Sequence, residues 1–300
     1  MTVLAASRTE SPLDKLLRRV SEVSSLPRIA QRVMEVANNP AAGAADLKAV
    51  LEIDAALSAR VLRCVNSSAY GLRMKISSLQ QAVAYLGLKQ IRNLAMTAGI
   101  AELFKSEQSL GSYSRAGLWK HLVAVGVCGR MIAMRLRMLN FEDVFLAGLL
   151  HDLGIILEDQ YAHNGFVRVI EALEKSGHAG PRLTLPEAER AELGFDHATL
   201  GEEIGRRWGF AEPILAALAW HHCAALCRGD DQVVKLVQCV EVANLICTFK
   251  GIPSVGLKLV TGSQSTLGSL GLTREDVLVM AADLDREMAS HAGLFDIAQP

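Results

Sequence analysis

The sequence predicts an all-α protein, and three observations support this fold class. Apolar residues recur at spacings of three and four along most of the chain, as they do on one face of an α-helix. Alternating strand patterns bounded by turn residues are scarce. Half of the 300 residues are hydrophobic, which is enough for a substantial core without disulfide bonds.

The first helices have clear sequence signals at their ends. Ser11, Pro12 and Asp14 form a typical capped helix start. A second helix begins near Pro27 and must end before Pro40, because proline cannot continue it. Further helical patterns cover residues 44–52, 54–65 and 79–104. These segments predict an N-terminal helical layer.

A polar stretch at residues 105–116 interrupts the apolar period and predicts a joint between two subdomains. We expect an N-terminal helical subdomain over residues 12–110, a second helical subdomain over 113–250 and a C-terminal helical extension over 251–300. Within the second subdomain, residues 178–186 are polar and predict a loop. In the extension, Thr273 predicts a capped helix start.

Charge and cysteine content limit the classes of partner and compartment. The 31 basic and 32 acidic side chains leave a net charge of -1, so we expect neither nucleic acid nor a membrane as partner. No stretch has the roughly 20 apolar residues of a membrane span. The six cysteines include no C-x-x-C pair and fit reduced thiols, with Cys223 and Cys227 fitting small core residues better than zinc ligands. A cytoplasmic protein is expected.

The second block places histidines on the apolar faces of several helices. His121 shares a helical stripe with Leu118 and Val125, which predicts that it faces inward. His151 follows a stripe of small residues that would let a neighbouring helix approach it closely. Asp152 comes next, behind an apolar run, and a carboxylate carried into a core needs a cation or several hydrogen bonds.

Two later helices extend this pattern. His197 lies at a predicted helix start, with Asp196 as its N-cap. His221 and His222 end another helix, and one of the two must point inward. Asn244 adds an inward amide on the last long helix of the block.

Each histidine taken alone fits a core residue bonded to a backbone carbonyl. Four helices that each bring an imidazole, one with a carboxylate, favour a shared metal site instead. Neutral imidazoles with a carboxylate suit zinc, iron, nickel or manganese better than magnesium or calcium. The sequence thus leaves two hypotheses open, a divalent transition metal or a set of core histidines.

The spacing of these residues resembles the HD superfamily, whose metal-dependent phosphohydrolases use a histidine, a His-Asp pair, further histidines and a late aspartate. The N-terminal block narrows the resemblance to the HDOD family. Its motif is similar to residues 62–71, LRCVNSSAYG, in which Asn66, Ser67, Tyr70 and Gly71 stand out. GLLHDLG at 148–154, LGFDHA at 193–198 and the double histidine fit the same family. The resemblance covers roughly residues 12–250.

The resemblance implies an all-α fold in which an N-terminal helical subdomain packs on an HD-like subdomain. It also implies an output or scaffolding role in bacterial signal transduction, through signalling protein partners or a small, nucleotide-type ligand. By the same resemblance the candidate metal ligands are His121, His151, Asp152, His197, His221, His222 and Asn244. From the residues alone, the segment from Asn66 to Gly71 fits a helix end followed by a turn.

Departures from the family pattern bear on activity. Asn244 occupies the position of the last metal-binding aspartate, which removes one anionic ligand and makes the site degenerate. Ile155 follows Gly154 where cyclic-dinucleotide phosphodiesterases have lysine, and no Gly-Tyr-Pro follows the double histidine. The leading hypothesis is a non-enzymatic signalling module. The alternative is a metal-dependent phosphohydrolase acting on a nucleotide or cyclic dinucleotide, and a third is a pure interaction scaffold with core histidines.

Overall fold

A computed structural model describes residues 10–23, 28–39, 41–67, 72, 74–176, 182–260 and 264–295. The described N-terminal helices are α1 (Pro12–Val23), α2 (Arg28–Asn38), α3 (Ala44–Glu52), α4 (Ala55–Val65), α5 (Leu79–Leu86) and α6 (Leu88–Ile100). A 3₁₀ helix (Ala101–Phe104) and two short strands, β1 (Ser109–Leu110) and β2 (Tyr113–Ser114), follow. The predicted all-α class is confirmed.

The second block contains α7 (Arg115–Arg135), α8 (Phe141–Leu150), α9 (Leu153–Tyr161), α10 (His163–Lys175), α11 (Leu185–Leu193), α12 (His197–Arg207) and α13 (Glu212–Trp220). After a 3₁₀ turn (Ala224–Leu226), the chain continues through α14 (Asp231–Phe249), α15 (Gln264–Ser269), α16 (Arg274–Ser290) and α17 (Ala292–Phe295).

The predicted helix starts are confirmed by their caps. Ser11 Oγ accepts from the Asp14 amide at 3.0 Å, and Asp54 Oδ1 accepts from the Leu57 amide at 2.9 Å. Thr273 and Asp276 cap α16 reciprocally. Each cap satisfies amides that have no partner within the helix, so the side chain fixes where the helix begins.

The single helix predicted over residues 79–104 is wrong. Gly87 has a φ of +79°, a left-handed value that an α-helix cannot include, so the chain ends α5 there and starts α6 in a new direction. The last turn tightens into the 3₁₀ helix from Ala101 to Phe104. The periodicity continued across the break because both helices face the same core.

The polar joint forms a two-stranded hairpin in which Leu110 pairs with Tyr113. Strands of two residues are too short to produce an alternating pattern, so the sequence did not predict them. A buried ion pair fixes the joint to α9, since Arg115 Nε donates to Asp159 Oδ2 at 2.6 Å. The Tyr113 hydroxyl donates to the same oxygen at 3.1 Å.

Helix α14 is long and apolar enough to satisfy the length and composition criteria for a membrane span. However, 67% of its most apolar 18-residue window is buried inside the fold, where α14 packs against α7, α8 and α13. A helix that is hydrophobic on all sides fits the centre of a large core. We therefore interpret α14 as the central core helix of the second block.

Helices of the N-terminal and second blocks meet through polar contacts. Asn93 of α6 donates to both the backbone oxygen and Oε2 of Glu142 on α8, each at 2.7 Å. The C-terminal α17 contacts α4, α6 and α7, and Trp119 of α7 donates to the Phe295 carbonyl at 3.0 Å. The three subdomain ranges remain a prediction.

Candidate metal centre

The His151-Asp152 pair lies at a break between two helices. His151 follows the last residue of α8, and Asp152 precedes α9 with φ and ψ of -101° and 20°. On one continuous helix, adjacent side chains would diverge by about 100°. The turn instead lets the side chains converge, and His151 Nε2 lies 3.2 Å from Asp152 Oδ2.

Four histidines surround the Asp152 carboxylate, two at each oxygen. His121 and His151 place Nε2 at 3.5 and 3.2 Å from Oδ2. His197 and His221 place Nε2 at 3.3 and 3.1 Å from Oδ1. All five side chains are buried. With His222, they make up what we call the Asp152 cluster.

The other ring nitrogen of each of these four histidines, Nδ1, already has a hydrogen-bond partner. Every Nδ1 lies against an oxygen that can only accept, so each Nδ1 must carry the proton and donate it away from Asp152. The acceptors are the Ile252 carbonyl for His121 at 2.6 Å, the Gly148 carbonyl for His151 at 2.8 Å, Glu189 Oε2 for His197 at 2.6 Å, and the Ala217 and Leu218 carbonyls for His221, both at 3.0 Å.

A neutral ring with its proton on Nδ1 presents a lone pair at Nε2. When all four rings are neutral, four such lone pairs face a carboxylate, which itself only accepts, and among the described residues the buried Asp152 Oδ1 has no hydrogen-bond donor. His121 and His151 hold their Nε2 atoms 3.4 Å apart, and the pair at Oδ1 is 3.3 Å apart. Such an arrangement of acceptors is repulsive unless a cation lies among them, so the donor set fits a transition metal.

Electrostatics favour the ligand forms of the central pair. Burial lowers the pKa of His151 to about 4, which keeps its ring neutral near pH 7. Burial alone would raise the pKa of Asp152, but the imidazoles around it outweigh burial and lower that pKa well below its usual value. Asp152 is thus an anion beside the neutral ring of His151. Burial alone would lower the pKa of His197, but the Glu189 and Asp152 carboxylates outweigh burial and raise that pKa well above its usual value, so a metal ion at His197 Nε2 would replace a proton.

His222 approaches His197 and the Asp152 carboxylate from the protein surface. Its Nε2 lies 2.8 Å from His197 Nε2, although the His222 side chain is exposed where that of His221 is buried. We expected one of the paired histidines to point inward, and His221 does. The structure shows in addition that both bring a ring nitrogen to within 4.8 Å of the Asp152 carboxylate group and His197.

Asn244 lies buried on α14, as its stripe predicted. Its Oδ1 accepts a hydrogen bond from Thr248 at 3.3 Å, one turn along the same helix. A role as metal ligand stays a prediction for this residue.

Sequence reasoning missed two buried carboxylates behind the cluster. Glu189 Oε2 accepts from both the amide and Nδ1 of His197, at 3.0 and 2.6 Å, and so fixes the orientation of the ring. Glu158 of α9 is fully buried near Glu189, and burial together with that second carboxylate raises the pKa of Glu158 well above its usual value. The only available signal was charged residues on otherwise apolar helix faces.

Glycines allow the helices that carry the ligands to approach each other. A Cβ at Gly154 would overlap the backbone of His197, and one at Gly148 would lie 2.8 Å from the Val125 carbonyl oxygen. The predicted close approach of a helix beside His151 is confirmed, since α7 and α8 pack at Gly126 and Gly148. These contacts hold α7, α8, α9 and α12 around one point.

The motif residue Asn66 joins the end of α4 to a later segment. Its side-chain amide donates to the Leu62 and Ile76 carbonyls at 2.7 and 2.9 Å, and its Oδ1 accepts from the Ile76 amide at 2.8 Å. These contacts agree with the helix-end interpretation. Ser67 follows directly, whereas Tyr70 and Gly71 lie outside the described residues.

An open cavity of about 550 Å³ lies beside the Asp152 cluster. His221 and His222 form part of its lining, together with residues from α11, α12 and the segment 254–260. The cluster is therefore accessible from the His222 side.

The helical fold and the Asp152 cluster together define an HD-related helical module. A family model for the HDOD domain matches residues 23–224, which is more than half of the chain. The chain belongs to the HDOD domain family. It is also 23% identical over 232 residues to an uncharacterized protein of Treponema pallidum (strain Nichols), and it spans 43% of the length of that curated relative.

Solved structures share the fold. An HDOD domain protein from Geobacter sulfurreducens aligns with a TM-score of 0.77 and 27% identity over 95% of this chain and 98% of the other. A structure described as a candidate signal transduction protein from Marinobacter aquaeolei VT8 aligns with a TM-score of 0.75 and 25% identity, over 94% and 61% of the two chains. A candidate metal-dependent phosphohydrolase from Shewanella amazonensis SB2B, 19% identical with a TM-score of 0.61 over 95% and 97%, shares the fold alone.

Proposed function

We propose that this protein is a non-enzymatic signal transduction module of the HDOD family, which holds a divalent transition metal at the Asp152 cluster. The observation that supports it is the orientation of the rings around Asp152. Four imidazoles donate through Nδ1 to fixed acceptors and direct Nε2 at one carboxylate, as histidines that bind a metal do in protein metal sites.

The ligand arrangement divides into two sides. His121 and His151 would hold an ion at Asp152 Oδ2, and His197, His221 and His222 would hold one at Oδ1. A bound transition metal supplies a positive charge that balances the buried carboxylate and, where a coordination position stays open, polarises a ligand. Zinc, iron, nickel and manganese all suit this donor set.

Burial supports a structural or sensory role for the metal rather than turnover. His121 and His151 have no exposed side-chain surface, so the Oδ2 side of the cluster is closed. Structural metal sites are closed in this way, whereas catalytic sites keep a position for water or substrate. By the resemblance, Ile155 stands where cyclic-dinucleotide phosphodiesterases have lysine and Asn244 stands where active enzymes have the last metal-binding aspartate, and both departures support the same proposal.

Signal output would then pass through a protein partner or a small ligand. Helix α8 connects the N-terminal block to the Asp152 cluster. Glu142 at the start of α8 contacts Asn93 of the N-terminal block, and His151 follows the last residue of α8. A metal or ligand that shifts the end of α8 would therefore also change the contact between α8 and α6. The protein would act in the cytoplasm, as its charge and composition predict.

A metal-dependent phosphohydrolase is the second candidate, favoured by the cavity that reaches His221 and His222. The two candidate functions predict different results for metal-loaded protein, because only a phosphohydrolase would turn over a phosphate ester. We expect no steady hydrolysis of bis(p-nitrophenyl) phosphate, GTP or cyclic di-GMP by the full chain loaded with zinc, manganese or iron. Steady hydrolysis that His151→Ala abolishes would overturn the non-enzymatic proposal.

A further inference from the structure

His121 receives its orientation from a distant part of the chain. His151 donates from Nδ1 to the Gly148 carbonyl, one turn back at the end of its own helix. His121 instead donates to the Ile252 carbonyl at 2.6 Å, an acceptor 131 residues further along. Because the partner of Nδ1 fixes how an imidazole ring is turned, the position of Ile252 decides where His121 Nε2 points at Asp152.

Ile252 is held against the end of α14. The Ile252 amide donates to the Cys247 carbonyl at 2.9 Å, and the Gly251 amide donates to the Thr248 carbonyl at 3.1 Å. With Gly251 at a φ of +81°, these two bonds form a Schellman motif, which ends a helix on a left-handed glycine. Pro253 follows, and a residue before proline is restricted to extended backbone. The direction of the Ile252 carbonyl is therefore set from both sides.

A contact with the β1–β2 hairpin holds the other end of this segment. Gly256 has a φ of +78°, and a Cβ atom there would overlap the Ser112 carbonyl, so the two backbones touch. Ser112 lies in the hairpin turn, and its amide donates to Glu174 Oε1 of α10 at 2.6 Å. Val255 between the two ends is buried. Residues 251–256, which we call the His121 strap, thus lie fixed between α14 and the hairpin.

The hairpin lies at the joint between the two helical blocks. It spans residues 109–114, and the buried ion pair of Arg115 with Asp159 fixes its base to α9. The His121 strap therefore connects this joint to a ligand of the ion proposed at Asp152 Oδ2. The family model matches residues 23–224, so the family match assigns the strap no role.

We propose that the His121 strap is a positioning segment of the metal site, and that it couples the ion at Asp152 Oδ2 to the hairpin between the two blocks. The inference rests on the proposed function, since it names a route by which that metal site acts on the rest of the protein. Coupling between two sites is reciprocal. A displaced strap must weaken metal binding, and bound metal must in turn hold the strap and the hairpin in place.

The first half of the experiment measures zinc affinity of the full chain by competition with a fluorescent chelator. In Gly256→Ala the added methyl meets the Ser112 backbone and displaces the strap, so we expect zinc to bind about tenfold to a hundredfold more weakly, as when a partner that orients a ligand histidine is lost. Gly87→Ala is the matched control, because Gly87 has a similar φ of +79° but a Cβ there meets no atom of the described residues within 4 Å.

A milder variant serves if Gly256→Ala does not fold. Pro253→Gly adds no atom to the strap and removes the restriction on Ile252, so it should fold and weaken zinc binding severalfold. Zinc affinity equal to that of the wild type in Pro253→Gly and in folded Gly256→Ala would overturn this inference alone. Wild-type protein that takes up no zinc would overturn the proposed metal site and this inference with it.

The second half is hydrogen exchange of the wild type with and without zinc, which detects coupling that a purely structural strap would lack. Zinc should slow amide exchange in residues 251–256 and 109–114 severalfold. Exchange in α3 of the N-terminal block is the reference, since it reports stabilisation of the fold as a whole. Zinc that slows exchange in the hairpin no more than in α3 would overturn the coupling.

Discussion

Gly154 near the start of α9 packs directly on the backbone of His197 at the start of α12, with no room between them for a Cβ atom. This contact brings the helix that follows Asp152 to the helix that carries His197. The two side chains then meet, with His197 Nε2 3.3 Å from Asp152 Oδ1. A residue without a functional group thus sets the geometry of the Asp152 cluster.

Gly154→Ala should therefore destabilise the fold and weaken metal binding together. The added methyl meets backbone, which cannot move aside as a side chain can, and overpacking of this kind costs about 1–3 kcal/mol. Urea denaturation measures the loss in free energy of unfolding. Gly268→Ala is the matched control, because a Cβ there meets no atom of the described residues within 4 Å and lies in a helix. Equal stability of the two variants would contradict the close contact.

Removal of metal should lower stability, since an ion that binds only the folded state adds about 2.7 kcal/mol at a hundredfold excess over its Kd. Treatment with a chelator should lower the Tm, and zinc or manganese should restore it. His121→Ala should lose this response. His163→Ala removes a histidine of α10 that lies outside the Asp152 cluster, and it should keep the response. A Tm that does not change on chelation would favour the core-histidine hypothesis.

Glu189→Gln should weaken metal binding by about tenfold to a hundredfold, as loss of a carboxylate that orients a ligand histidine does in other sites. The amide keeps the shape of the side chain but removes the charge that holds the His197 proton on Nδ1. Competition with a fluorescent zinc chelator measures the affinity. Glu192→Gln is the control on the same helix, since Glu192 pairs with Arg168 at the surface. Equal metal affinity of the two variants would contradict the role of Glu189 in orienting His197.

Asp159→Asn should lower the free energy of unfolding by about 3–5 kcal/mol, because it leaves the Arg115 guanidinium buried without its partner. The double variant Arg115→Met/Asp159→Leu should recover part of that loss, since it removes both charges. Chemical denaturation measures each variant. Glu171→Gln breaks an exposed pair with Lys175 and should cost less than about 1 kcal/mol. A double variant as unstable as Asp159→Asn would contradict this interpretation.

The sequence predicted those parts of the fold that depend on local signals. Caps such as Ser11 and Thr273 fixed helix starts, and Asp196 correctly predicted a helix beginning at His197. The break at Gly87 was missed, because apolar periodicity does not register a change of direction between two helices that share a core.

The Asp152 cluster was predicted only in part, because its assembly depends on helix packing as well as on local sequence signals. Inward-facing histidines can be read from stripes, but the meeting of their Nε2 atoms at Asp152 depends on how α7, α8, α12 and α13 pack. The turn at His151 and Asp152 produces convergence that a continuous helix would prevent. Glu189 lies on another helix from His197, so no spacing in the sequence links it to the ring.

We propose that the acceptor atoms around Asp152 surround a metal ion. Elemental analysis of the full chain, purified without chelator or affinity metal, tests it most directly when wild type is compared with Asp152→Asn. We predict a stoichiometric transition metal, at one or two ions per chain, in the wild type and its loss in the variant. A wild-type protein that contains no transition metal, and takes up none on titration with zinc, manganese, iron or nickel, would contradict the account.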